Sequence, residues 1–236
     1  NIDRGGYGIY IDDQIMYFER QGVVVPIVKM QDIRISLEGK LIYNIENAMA
    51  ACGAAIGLNI AYSVIKDGLK SFYGDASFNP GRFNIYNLNG INVVLDYGHN
   101  IEGYKAVIKG AKKLNYKRLV GIIGVPGDRT DTSVEKIGRI AGRNFDYIYV
   151  KEDKDRRGRK PGEIASILRR GIMKTDFDLK KIETILDEKA ALERAIDAGK
   201  QGDLIIIFFE KMNPLVELIS EKLKDGNKRI GNIAMV

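Results

Sequence analysis

Short runs rich in β-branched and aromatic residues at 7–11, 15–20 and 23–28, each bounded by polar turn residues, predict three short strands. Asp12-Asp13-Gln14 and Gln21-Gly22 separate them as turns, and Pro26 marks the third as an edge strand. Three such strands are marginal alone and are expected to pack on a part of the protein ahead of Asn1. Residues 44–57 form a helix of small side chains, with Asn44 as its expected N-cap. A second amphipathic helix is predicted over 60–72. From Arg82 onward the pattern changes. Strands 83–88 and 91–96 flank Asn89-Gly90, the strongest short hairpin signal. Helices at 104–114, 134–144, 161–171, 188–199 and 213–224 then alternate with strands at 118–123, 147–150, 181–185 and 204–209. Alternation of this kind specifies an α/β fold, a Rossmann-like, mostly parallel sheet with helices on both faces. The turn-rich stretch 74–81 is the expected boundary, dividing the chain into 1–78, with a small antiparallel sheet plus helices, and 79–236. Residues 225–236 read as a polar tail of low order.

Composition narrows the classes. No run of about 18 apolar residues exists, so no membrane partner is expected. One cysteine, Cys52, cannot close an internal disulfide, which suits a reducing cytoplasm, and its small-residue surroundings suit packing rather than a nucleophile. A formal charge of +6 suits a polyanionic ligand. The densest basic cluster, 154–160, holds no aromatic residue, so nucleic acid is not an expected partner. The opening Asn1-Ile2-Asp3-Arg4, without methionine or a leader pattern, is expected to lie inside a longer protein.

Candidate chemistry concentrates where apolar strands end. Val93-Val94-Leu95 runs into Asp96-Tyr97-Gly98-His99-Asn100, and a helix follows at once. Polar groups at a strand end beside the free N–H groups of a helix make a nucleotide or anion site. A buried Asp96 needs partners, either ribose hydroxyls or the helix N-terminus. His99 is the only histidine and has no nearby cysteine, which suits binding or stacking rather than a metal, and no metal site is expected. Asn100 can cap the next helix. Asn47, inside a helix where asparagine competes with the backbone, could pair with an adenine edge. Arg82 leaves the Asn79-Pro80-Gly81 turn, either as a surface arginine or as a phosphate ligand. A second constellation, Gly124-Val125-Pro126-Gly127-Asp128-Arg129, follows a strand and precedes a helix with an expected Thr132/Glu135 capping box. It is neither Gly-Lys-Thr/Ser nor Gly-x-Gly-x-x-Gly, which weakens a phosphate-loop or nicotinamide reading. A third, Lys151-Glu152-Asp153-Lys154-Asp155-Arg156-Arg157-Gly158-Arg159-Lys160-Pro161-Gly162-Glu163, sits after a strand and runs into a Pro161-initiated helix. Its carboxylates could hold amino and guanidinium groups and its arginines a carboxylate. Glu210, ending the last strand, is a weaker candidate, and no residue is assigned as catalytic.

The strand-borne Asp96-Tyr97-x-His99-Asn100, the Asn44-x-x-Asn47 helix, Pro80-Gly81-Arg82 and the Gly127-Asp128-Arg129 loop together resemble the Mur ligase family of ATP-dependent amide ligases. The likeness runs over about residues 5–224. It departs from the family pattern where Gly98 replaces alanine and Ile101 replaces the proline after His-Asn. The resemblance implies that 1–78 ends a central ATP-binding domain and 79–236 is the carboxyl-terminal domain. It implies Asn47, Arg82, Asp96, His99 and Asn100 at ATP, and Gly127, Asp128, Arg129, Glu152, Asp153, Arg157 and Arg159 at an incoming amino acid. It also implies Mg2+, with most of its ligands and the Gly-Lys-Thr/Ser loop in upstream domains of the same protein, so that residues 1–236 alone would be inactive. The branch most resembled adds arginine to aspartate side chains of a growing polymer through an acyl phosphate. A cell-wall muropeptide or folylpolyglutamate-type ligase, a noncatalytic binding module, and a homo-oligomer of any of these remain open.

Overall fold

The computed structural model describes residues 6–233. Two compact units divide the chain, Asn1–Pro80 with Lys109–Leu114, and Gly81–Ile108 with Asn115–Val236. In the first unit β1 (Tyr7–Asp12), β2 (Ile15–Arg20) and β3 (Val23–Lys29) form an antiparallel sheet in that order. Both connections are two-residue turns with positive φ, 42° and 62° at Asp13-Gln14 and 51° and 78° at Gln21-Gly22. Such turns match the right-handed twist of the strands they join. β3 is an edge, which tolerates Pro26. Helices α1 (Ile42–Gly57) and α2 (Tyr62–Ser71) complete the core, where Met16, Phe18 and Ile27 meet Ile45, Ala48, Cys52 and Ile65.

Asn44 is not the N-cap of α1. Leu41, buried and without a side-chain cap bond, takes that place, and the helix starts at Ile42, ahead of the small-residue run. Asn44 instead lies buried in the first turn and donates Nδ2–H to the Ile35 carbonyl at 2.8 Å.

In the second unit a six-stranded sheet runs β4 (Asn84–Leu88), β5 (Ile91–Asp96), β9 (Asp203–Phe208), β6 (Arg118–Ile123), β7 (Tyr147–Val150), β8 (Ile182–Thr184). Only β4–β5 is antiparallel, closed by Asn89-Gly90 with φ of 51° and 90°. β5, β9, β6, β7 and β8 are parallel neighbours. Their connections carry α3 (Ile101–Ala111), α4 (Asp131–Gly142), α5 (Glu163–Met173) and α6 (Glu188–Asp197), and α7 (Met212–Ile233) follows β9. Val93, Leu95, Ile205 and Ile207 pack against Leu192, Ala195, Leu215 and Leu218 of α6 and α7. The intervening positions point the other way, where Tyr104 of α3 stacks on Phe208 at 3.6 Å. Both faces are therefore covered, as a parallel sheet requires.

Two expectations change. The Thr132/Glu135 capping box does not form, because α4 begins at Asp131 and Thr130 is its N-cap, with Oγ1 accepting the Ser133 N–H. Glu135 instead binds Arg139, Arg170 and Lys174, which hold its carboxyl down at about 2. Helix α7 continues to Ile233 rather than giving way to a tail at 225, since no proline stops it and Gly226 and Gly231 only weaken it. Residues 234–236 of that expected tail lie outside the described residues. Among the described residues no helix is long and apolar enough to cross a membrane.

Candidate functional site

Parallel strands deliver their carboxyl ends, and the loops that follow, to one edge of the sheet. Residues after β5, β6, β7 and β9 there line a cleft of about 210 Å³, which gathers Tyr97, His99, Pro126, Asp153, Asp155, Arg157, Glu210 and Lys211.

The turn after β5 is fixed by Asp96. Its side chain is 3% exposed, Oδ2 accepts the Phe83 N–H at 2.9 Å, and Oδ1 accepts the Gly98 N–H at 2.7 Å. Burial pushes its carboxyl up to about 6, against the lowering effect of those two donors. Phe83 sits at φ 53°, a costly conformation for a bulky residue, and the Asp96 bond helps hold it there. The Tyr97 N–H donates to Gly81 O at 2.9 Å, and the Gly81 N–H donates to Asn84 Oδ1 at 2.6 Å. Together these bonds tie the Pro80-Gly81-Arg82 turn to the end of β5. The exposed Arg82 guanidinium lies 5.8 Å from the Tyr97 ring, which packs edge-on to His99 at 5.3 Å. Asn100 caps α3, with Oδ1 accepting the Gly103 N–H at 2.8 Å. Asn47 is exposed on α1, in the first unit.

The loops after β6 and β7 lock onto each other. Arg159 donates Nε–H to Gly127 O and Nη2–H to Arg129 O, both at 2.7 Å. Its guanidinium also pairs with Asp131 and Glu163. Arg157 pairs with Asp128. Gly127 packs so close to the Arg156 carbonyl that a Cβ there would overlap the oxygen. Glu152 is buried, and its carboxylate accepts the N–H groups of Gly162 and Ala165 at 2.9 and 3.0 Å, anchoring the start of α5. Of the seven residues expected at an amino acid, Asp153 and Arg157 line the cleft. Gly127, Asp128, Arg129 and Arg159 are engaged in joining the two loops, and Glu152 anchors α5.

Several residues here gave no sequence signal of their own. Tyr104 stands in an ordinary helical pattern, yet its hydroxyl donates to Gly124 O at 2.8 Å and accepts the Gly124 N–H at 3.1 Å. Burial pushes the Tyr104 phenol well above its usual range, so it stays a donor. Tyr104→Phe is expected to strand both Gly124 groups and cost about 2 kcal/mol in denaturant unfolding. A loss below about 0.5 kcal/mol would mean that water or a shifted loop replaces the hydroxyl. Lys211 and Phe209 could have been found only by noticing that β9 ends beside β5 and β6.

The fold agrees with that of known proteins. Residues 81–208 match the family model described as Mur ligase, glutamate ligase domain. Over 218 residues the chain is 36% identical to cyanophycin synthetase of Crocosphaera subtropica, covering 92% of this chain and 25% of that protein. Over 194 residues it is 38% identical to cyanophycin synthetase of Synechocystis, covering 82% and 22%. The chain thus spans about a quarter of the length of these relatives. Among solved structures, folylpolyglutamate synthase of Thermotoga maritima superposes with a TM-score of 0.58 at 20% identity, covering 94% of this chain and 49% of that one. The family match runs from Gly81 to the end of β9, more than half of the sequence, and the chain belongs to the Mur ligase family.

Proposed function

We propose that the protein carrying this chain is an ATP-dependent acid–amino-acid ligase of the cytoplasm, and that the second unit is its amino-acid-binding, carboxyl-terminal domain. The observation that carries this is the cleft itself. Three carboxylates, Asp153, Asp155 and Glu210, meet Arg157 and Lys211 in about 210 Å³, room for one zwitterion rather than a large ligand. ATP would phosphorylate an acceptor carboxylate to an acyl phosphate with release of ADP, and the amine bound in the cleft, once its ammonium had lost a proton to solvent, would displace phosphate to form the amide. The carboxylates suit the ammonium and a cationic side chain, and Arg157 suits the amino acid's carboxylate. Arginine added to aspartate side chains is the specific reaction we favour, supported by this acidic lining and by the likeness to cyanophycin synthetases.

The nucleotide would meet the edge of the same unit. Arg82 is an exposed, permanently charged group for phosphate oxygens, and His99 and Tyr97 offer ring faces. Asp96 and Asn100 would act there by fixing the turn and the helix start. Taken by itself, the first unit carries Asn47 as an exposed amide, a proposed partner for an adenine edge. Gly127, Asp128, Arg129, Glu152 and Arg159 would shape the amino-acid side rather than touch it. Mg2+ would accompany the nucleotide, held mostly by residues of the upstream part of the protein.

The test is amide synthesis by the full-length protein, with ADP release followed for each of the amino acids in turn. Arginine-dependent ADP release with an aspartate-bearing acceptor is the expected result. Turnover with another amino acid alone would move the protein to a different branch, and no ADP release with any would remove the ligase reading.

A further inference from the structure

The most deeply buried charge in the second unit lies behind the cleft and has no part in the reading above. Lys151, directly after β7, is a fully buried side chain. Its ammonium donates to Asp153 Oδ1 and to Glu188 Oε2, each at 2.6 Å. Glu188 opens α6, and its carboxylate accepts the backbone N–H groups of Glu210 at 2.6 Å and Lys211 at 3.1 Å. Those two residues line the cleft after β9. The lysine stem runs against Gly124, where a Cβ would come within 2.5 Å of Cε. One side chain therefore touches the loops after β6 and β7 and the start of α6, and reaches the loop after β9 through Glu188.

Burying three ionised groups is costly, and a triad of this kind is seldom the most stable way to fill the space. A role in placing groups at the cleft accounts for it better. Asp153 lines the cleft, and its second oxygen has no hydrogen-bond partner among the described residues. Burial drives the Asp153 carboxyl up, and Lys151 is the largest influence opposing that rise.

We propose that Lys151 is a positioning residue for the amino-acid side of the reaction, holding the Asp153 carboxylate at the cleft wall and, through Glu188, the Glu210–Lys211 backbone across from it. The ligand class it serves is a protonated amine. This rests on the ligase reading of the cleft, and the test separates the two.

In the full-length protein, Lys151→Met is expected to raise the KM of the incoming amino acid about ten-fold while kcat and the KM of ATP stay within about two-fold. It is also expected to speed amide hydrogen exchange at Glu210 and Lys211 with no substrate present. Because the single variant leaves uncompensated buried carboxylates that work against folding, the double variant Lys151→Met with Glu188→Gln is the deciding one. If Lys151 only balances charge, this variant recovers a normal amino-acid KM. If it positions Asp153, the KM stays raised by about five-fold or more in a folded protein. An unchanged amino-acid KM in an active, folded variant overturns the proposal. Should the wild-type protein ligate no amino acid, the ligase reading fails. Exchange at Glu210 and Lys211 then decides whether Lys151 pins the loop, and unchanged exchange overturns that too.

Discussion

Replacing Gly127 with alanine is expected to open the cleft. The backbone at Gly127 lies outside the left-handed region, so the glycine is there for space and not for conformation. An added Cβ would overlap the Arg156 carbonyl, a backbone group that cannot rotate aside. Relief requires the loops after β6 and β7 to separate. That motion strains both Arg159 bonds to the Gly127 and Arg129 carbonyls and the Arg157–Asp128 pair. Overpacking of this kind costs about 1–3 kcal/mol. The contact joins two segments already tied by a guanidinium fork, so a loss of about 2 kcal/mol in denaturant unfolding is expected. Activity should suffer more than stability, because Asp153 and Arg157 sit on the displaced loop. A rise of about ten-fold or more in the amino-acid KM, with the ATP KM little changed, is the expected kinetic result. Wild-type stability and KM in Gly127→Ala would mean that the two loops are already apart in solution.

Much of the fold is legible because local chemistry and tertiary structure agree. Asn89-Gly90 and Gln21-Gly22 adopt the positive φ angles that their residue types favour, and the strands around them pair as the turns dictate. Strand order is less accessible. Asp203–Phe208 is buried along its whole length, so its pattern names a central strand but not its neighbours. That it enters between β5 and β6 follows from the crossovers. The site was legible as a set of loops, because apolar runs ending in Asp96, Gly124, Lys151 and Glu210 mark strand ends wherever the strands lie. Which side chains face a ligand was not legible. Glu152 and Arg159 look like substrate ligands in a charged run, and only the folded chain shows them engaged with the N–H groups of α5 and the carbonyls of the neighbouring loop. Lys151 errs the opposite way. It opens the same charged run, whose mixture of signs reads as a solvated loop, while here the carboxylates of Asp153 and Glu188 draw it inside.

Asp96 should make the stability of the second unit depend on pH in a recognisable direction. Its carboxyl stands at about 6 in the folded chain against an ordinary 3.8, with burial as the main cause. The folded state therefore binds the proton more tightly than the unfolded state. Its contribution favours folding fully below about pH 4 and is lost as pH rises through about 6. A difference of that size corresponds to about 3 kcal/mol. Asp96→Asn removes the titration but keeps the shape. Its amide can accept from only one of the Phe83 and Gly98 N–H groups, so the variant is expected to be less stable near pH 4. Near pH 7 the wild-type protein bears the cost of a buried charge and the gap should narrow by about 3 kcal/mol. The comparison is the difference between the two proteins in urea at matched pH, because Glu135, held down at about 2, titrates alike in both and cancels. A gap that does not change between pH 4 and 7 would show that Asp96 ionises at its ordinary pH, and hence that water reaches the turn after β5. The expected narrowing would mean that the turn carrying His99 is held from behind by a carboxylate that solvent does not touch. Arg82 would then be set by the same group, because the N–H of Phe83, the next residue, donates to the Asp96 carboxylate.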